Sequence, residues 1–377
     1  MKFIVSRPDL CEYTNRIQNI IAPKTPIPIL ANFMIVAAND TITLTATDLT
    51  CSVCCQGRAK VLEEGSTTVP ARRFSQLVRE LTSSHIEVAS DEKNNICLIA
   101  DSSTFKLFGI SQAEFPSMPN LDGGTAIRLK QKDLKDALFS TSFAVSKEDS
   151  RYVLTGLFLL IEKGIATLAG TDGKRLAKTA LAVDVDPQFH CECIIPSKAI
   201  DEIAKNLTQE DDECTLTILN DKIALQANDF AIVTKLLSGD IPNIDKVIPK
   251  QAASFVELHR QELMTLLRQI SLFTTEQNYS VRFTFVPGEL KLNVNTMDVG
   301  EGKVSMPVNY DGPRFDIAFN PIFFLDLLKH TRNEVVTMGF SDAFNPGLFI
   351  DGMQKESKDS LSPLFVLMPM RLNEQTV

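Results

Sequence analysis

One pattern recurs three times along this 377-residue chain, at intervals of roughly 125 residues, and no other feature limits its folding as strongly. Asp9-Leu10, Asp133-Leu134 and Glu262-Leu263 each open an amphipathic stretch, and Thr47-Asp48 returns as Thr171-Asp172. Residues 68–81 (TVPARRFSQLVREL), 194–207 (IIPSKAIDEIAKNL) and 318–331 (AFNPIFFLDLLKHT) follow a single template. An apolar or β-branched run passes a Pro or Asn and continues with apolar residues at helical spacing. A chain that repeats a whole domain builds a curved or closed assembly rather than one enclosed pocket.

Each copy reads as strand, helix, several strands, helix, several strands. Helices are expected at 8–21, 71–81, 130–141, 197–207, 259–273 and 321–332. Short alternating runs such as NFMIVAA, TITLTATD, SVCCQGRAKV, HIEVAS, NICLIA and FKLFGI, bounded by Asp, Asn, Ser or Gly, are expected as strands. Many short strands to two helices per copy predicts an α+β fold of antiparallel sheets with helices on one face. Seams at PNLDGGT and VIPKQAAS divide the chain into domains 1–124, 125–250 and 251–377. The last residues, NEQTV, read as a free tail.

The net charge of −9 argues superficially against nucleic acid, yet the six expected helices taken together are net basic. One face could then meet a polyanion while the rest repels it, although ordinary solvated helix faces would look the same. No apolar run is long enough to span a bilayer, and MKFIVSRPDL lacks the features of a secretion signal, so the expected compartment is cytoplasmic.

Chemistry is thinly supported. GTDGKR (170–175) lacks the leading glycine of a phosphate loop, and Arg175 stands where Ser or Thr would hold magnesium. The four histidines are scattered, and no nucleophile–base pair is apparent. Cys51, Cys54 and Cys55, and Cys191 with Cys193, fall on alternating stretches where free cysteine behaves as a small hydrophobe. The rival reading is a metal- or thiol-dependent enzyme using the Cys51/Cys54 cluster; the favoured one has no cofactor, no metal and no catalytic residue.

Geometry constrains a ring further. Six helices side by side place their axes on a circle about 19 Å across and leave a hole of about 9 Å. Twelve leave about 28 Å, enough for duplex DNA roughly 20 Å wide. A three-domain chain that encloses DNA therefore needs a second copy, and free sheet edges are a means of joining it.

Several motifs carry a family resemblance across residues 1–372: MKFIVSR, TPIPILANF, TTVPARRF, EFPSMPNL, DSRYVLTG, ATLAGTDGKRLA, IPNIDKVIPK and the closing VLMPMRL. In this order and spacing they make the chain similar to the bacterial β sliding clamps, processivity subunits of DNA polymerase III. The resemblance implies a head-to-tail ring dimer around duplex DNA with helices lining the channel. It also implies a pocket for short hydrophobic peptides of the replicative polymerase, the clamp loader and repair proteins. Position by position, that pocket would comprise Leu154, Thr171, Gly173, Arg175, Leu176, Pro242, Val247, Val366, Met368, Pro369, Met370 and Arg371. Lys24, Arg72, Arg73, Arg151, Tyr152 and Lys198 would face DNA, and Phe105 and Leu107 would meet Leu272 and Phe273 of the second copy. Removing 366–377 is expected to abolish peptide binding with little loss of fold.

Overall fold

Six α-helices stand where the periodicity puts them: α1 (Arg7–Ile17), α2 (Ala71–Glu80), α3 (Gln131–Thr141), α4 (Ser197–Asn206), α5 (Arg260–Ser271) and α6 (Pro321–Lys329). Their starts are written in the sequence. Ser6 Oγ accepts from the Asp9 N–H at 3.2 Å, and Asn320 Oδ1 accepts from the Ile322 N–H at 2.9 Å, each beside a first-turn proline. The first helix ends earlier than expected, passing into one 3-10 turn at Gln18–Ile20. The computed structural model describes residues 1–22, 24–148, 150–250, 252–275, 279–353 and 361–371, so the expected NEQTV tail lies outside the described residues.

The chain packs as two units, Met1–Lys135 with Lys198–Leu236, and Asp136–Ser197 with Leu237–Val377. The division passes through the middle copy, inside α3.

In the first unit, one sheet runs Lys60–Glu63, Lys2–Ser6, His85–Ser90, Asn95–Ala100, Ser103–Phe108. Its second sheet has eight strands. Four come from the first copy (Gly65–Pro70, Asn32–Ala38, Thr41–Thr47, Cys51–Arg58) and four from the middle copy (Phe230–Lys235, Lys222–Ala227, Glu213–Ile218, Thr125–Lys130). The join is antiparallel, with Val53 opposite Ile232. The expected strand 52–61 is broken at Ala59, whose N–H donates to Asp40 O at 3.1 Å.

The second unit repeats the scheme. Cys191–Pro196, Gly156–Glu162, Ile165–Thr171 and Arg175–Ala182 from the middle copy continue into Leu364–Leu367, Gly347–Asp351, Val335–Phe340 and Ser254–His259 from the last. Here Ala177 stands opposite Phe365. A four-stranded sheet follows, Phe315–Phe319, Val281–Val286, Glu289–Thr296, Gly300–Pro307. Its helices pack on a phenylalanine-rich core in which Phe283, Phe324, Phe349 and Phe365 are fully buried.

Two consequences bear on function. Among the described residues each of the four sheets has two edge strands; Ser103–Phe108 in the first unit and Gly300–Pro307 in the second are two of them, each paired on one side only. Leu364–Leu367, by contrast, is an interior strand paired on both sides. The expectation that residues 366–377 could be removed cheaply is therefore wrong. Val366 and Leu367 are buried, and cutting there would open the sheet at its middle.

Candidate client groove and cationic surface

The repeated Thr-Asp pair builds the same hairpin twice. Asp172 Oδ1 accepts from the N–H groups of Lys174 (2.9 Å) and Arg175 (3.0 Å), while Thr171 Oγ1 donates to Arg175 O at 2.6 Å. Asp48 Oδ1 likewise accepts from Thr50 N (2.9 Å) and Cys51 N (2.7 Å), and Thr47 Oγ1 donates to Cys51 O at 3.2 Å. Gly173 occupies the left-handed position of the turn at φ +81°, and Leu49 must take it in the first copy at φ +73°. A branched side chain is strained there, so Leu49→Gly is expected to stabilise the protein by up to about 1 kcal/mol. Thermal melting checks this; a lowered midpoint would show that Leu49 contributes packing that outweighs the strain.

Each carboxylate also holds a cation. Lys198 Nζ donates to Asp48 Oδ2 at 2.5 Å and to Ile20 O at 3.0 Å. Burial works against the Asp48 charge, but hydrogen bonds from Lys198, Thr50 and the Cys51 N–H outweigh it and hold the carboxyl below its ordinary range. Arg175 donates through Nε to Asp172 and through Nη1 to Asp326 on α6, both at 3.1 Å, with its guanidinium 4.7 Å from the centre of the Phe323 ring. Its charged head is thus committed to α6, and the residue positions the hairpin.

Beside this hairpin lies an apolar groove, wholly within the second unit. Leu154, Leu176 and Val366 are buried in one cluster with Phe158, Ile244 and Leu348. Above them a cavity of about 400 Å³ is lined by Val247, Ile248, Pro249, Pro346, Met368 and the polar Lys246, Ser341 and Asn345. Met368 N–H donates to Lys174 O at 2.9 Å and Met370 N–H to Ala318 O at 2.7 Å, which fixes the chain end along the rim. Pro369 and Met370 are half-buried, while Pro242 and Arg371 are exposed. Of the twelve expected pocket residues, Val247 and Met368 line the cavity directly and Leu154, Leu176 and Val366 lie in the cluster under it.

The lining residues missed are Lys246, Ile248 and Pro249, which flank the expected Val247, and Ser341, Asn345 and Pro346 around the turn at Asp342, whose Oδ1 accepts from the N–H groups of Phe344 and Asn345, both at 2.8 Å. The SDAFNP sequence carried that signal, an Asp two and three residues before the donors.

The six expected DNA-facing residues divide between the units. Lys24, Arg72 and Arg73 line one hollow of about 420 Å³ together with Ile21, Thr25 and Pro70. Pro70 gives α2 no side-chain cap, and its first turn holds no acidic residue. Two cations at the positive end of a helix dipole repel it, a cost that an arriving phosphate reverses. Lys198 opens α4 in the same way but is paired with Asp48. Tyr152 is exposed. Arg151 is also exposed; it donates to Asp172 O at 3.4 Å and lies against Gly173.

The thiol alternative finds no support. Burial pushes Cys51 and Cys55 up to about 12 and raises Cys54, which keeps all three protonated at neutral pH. Among the described residues no group of three or more His, Cys, Asp or Glu is placed to hold a metal ion.

A thrice-repeated α+β unit, joined sheet to sheet along the chain, defines a DNA-clamp fold. Three family models match in succession: the DNA polymerase III beta subunit N-terminal domain over residues 1–119, the central domain over 128–243 and the C-terminal domain over 245–371. The chain belongs to the DNA polymerase III beta subunit family. It is 47% identical to the beta sliding clamp of Chlamydia muridarum, across 99% of this chain and 100% of that protein. For the beta sliding clamp of Chlamydia pneumoniae the identity is 46%, with the same coverage. A crystal structure of the sliding clamp from Pseudomonas aeruginosa bound to griselimycin superposes with a TM-score of 0.92 at 27% identity, covering 99% of this chain and 100% of that one.

Proposed function

We propose that this chain is a DNA sliding clamp: two copies close head to tail around duplex DNA and tether the replicative polymerase, the clamp loader and repair proteins. It is organised as three repeats, 1–124, 125–250 and 251–377, and acts in the cytoplasm. It is not an enzyme: its surfaces hold and position. The observation that carries the reading is the way the repeats join: each eight-stranded sheet is continuous across two successive repeats, and the smaller sheets of the first and last repeats end in edge strands, Ser103–Phe108 and Gly300–Pro307, at which a second copy could continue the scheme.

Lys24, Arg72, Arg73, Lys198 and Tyr152 serve the DNA side through phosphate contacts without sequence preference. Arg151, exposed and held at the backbone of Asp172, belongs to the same set. The groove takes the apolar anchors of client peptides, for which the flexible Met368 is suited. A clamp of this kind is retained by topology rather than adhesion. Loaded on a nicked circle by its loader, it is expected to remain bound for as long as the circle is closed and to leave within seconds to minutes of linearisation. Retention on a linear template with free ends equal to that on the circle would overturn the reading.

A further inference from the structure

Two cysteines that a clamp has no use for share one side of an edge strand. Cys191 and Cys193 stand two residues apart on Cys191–Pro196, which among the described residues pairs only with Gly156–Glu162. Strand alternation puts both thiols on one side of the sheet, beside the buried Ile161 and Leu159, and Glu192 on the other. Cys193 is buried, whereas Cys191, the first residue of the strand, is half-buried.

The two thiols also differ from the rest of the chain's cysteines. Burial raises Cys51, Cys54, Cys55 and Cys214, the ordinary behaviour of a thiol in apolar surroundings. Cys191 goes the other way. The Cys193 S–H is directed at its sulfur, outweighs both burial and the Glu192 charge, and pulls Cys191 below the ordinary thiol range. The same contact raises Cys193, which keeps the proton.

We propose that Cys191 and Cys193 form a reversible thiol–disulfide site, oxidised by a hydroperoxide and reduced by a small thiol such as glutathione. The Cys191 thiolate attacks a peroxide oxygen; an S–O bond forms, the O–O bond breaks, and the departing hydroxide takes a proton from solvent. Cys193 sulfur then attacks Cys191 sulfur, the S–S bond forms as the S–O bond breaks, and the Cys193 proton leaves with the hydroxide as water. Two thiols and one hydrogen peroxide give one disulfide and two waters. Two glutathione thiols restore the pair and leave as glutathione disulfide.

The strand can accommodate the bond. Residues two apart on a strand have Cα atoms about 6.6 Å apart, at the long end of the disulfide range, so closure bends the chain. Cys191 with Ile161 is the last pair of its ladder, and the bend disturbs little else. A bond closed under strain is readily reduced, which fits a site that reopens in a thiol-rich cytoplasm. Cys54 and Cys55, being adjacent on their strand, point to opposite faces and offer no such pair.

The full-length unsubstituted chain, alkylated with iodoacetamide at neutral pH, is expected to lose the Cys191 thiol about tenfold faster than the equally half-buried Cys54. In hydrogen peroxide, the tryptic peptide 179–198, which holds no other cysteine, should become lighter by two hydrogens and recover in reduced glutathione. In Cys193→Ser the same peptide should instead carry the dimedone adduct of a Cys191 sulfenic acid, and in Cys191→Ser neither product should form. Equal alkylation of Cys191 and Cys54 overturns the proposal. So does peroxide oxidation that falls on Cys11, Cys54 or Cys97 while peptide 179–198 keeps its mass.

Discussion

Leu272→Ala is expected to convert the protein from a dimer, at twice the 41.7 kDa chain mass, into monomers at micromolar concentration. Leu272 follows directly on α5 and is 77% exposed, so truncating it removes apolar surface without opening the core. A two-fold ring has two identical seams, and releasing a monomer breaks both. If burying Leu272 contributes about 2 kcal/mol per seam, its loss removes about 4 kcal/mol from the dimer, roughly a thousandfold in the dissociation constant. Phe273 is the poorer probe. It packs against the core of its own unit beside Gly302, so Phe273→Ala would lower stability as well as association. The two effects separate when sedimentation equilibrium is run beside thermal melting: Leu272→Ala should lose mass but keep its midpoint, while Phe273→Ala should lose both. An unaltered chain that sediments as a monomer would remove the ring from consideration.

Much of the architecture was legible because it depends on local pattern. Helical spacing located all six helices, and alternation with turn residues located strands such as His85–Ser90 and Asn95–Ala100 to the residue. What escaped was pairing across long separations. Nothing in VLMPMRL says that Val366 will lie against Leu176, because that contact is decided by which edges remain free once each half-sheet has formed. The same gap explains the error about the chain end, read as removable when its strand is interior.

The resemblance named twelve pocket residues without telling a lining residue from a supporting one. Leu176 and Val366 are buried within the cluster, and Arg175 turns away to Asp326 and Phe323. Arg151 is exposed and reaches the backbone of Asp172 beside Gly173, a contact that position in the sequence alone does not announce.

That distinction decides how client binding should be tested. Val247→Ala with Met368→Ala is expected to weaken a peptide of the Gln-Leu-x-Leu-Phe type by at least a hundredfold, with little change in melting temperature. Both side chains are more than 40% exposed, so truncating them removes groove wall and leaves the core intact. Losing about 1.5 kcal/mol of apolar contact at each of two anchor positions accounts for the factor. Arg175→Ala should also weaken the peptide, but through the hairpin. It removes the cation that Asp172 and Asp326 share, leaving Asp172 with backbone donors and Asp326 with Lys329, so its loss of affinity should come with a lowered midpoint. Truncation separates the two mechanisms again. Ending the chain at Arg371 spares the strand Leu364–Leu367 and is expected to leave folding intact, whereas ending it at Phe365 cuts that strand in half and should unfold the second unit. Unchanged calorimetric affinity in the Val247→Ala/Met368→Ala variant would mean that clients dock elsewhere on the ring.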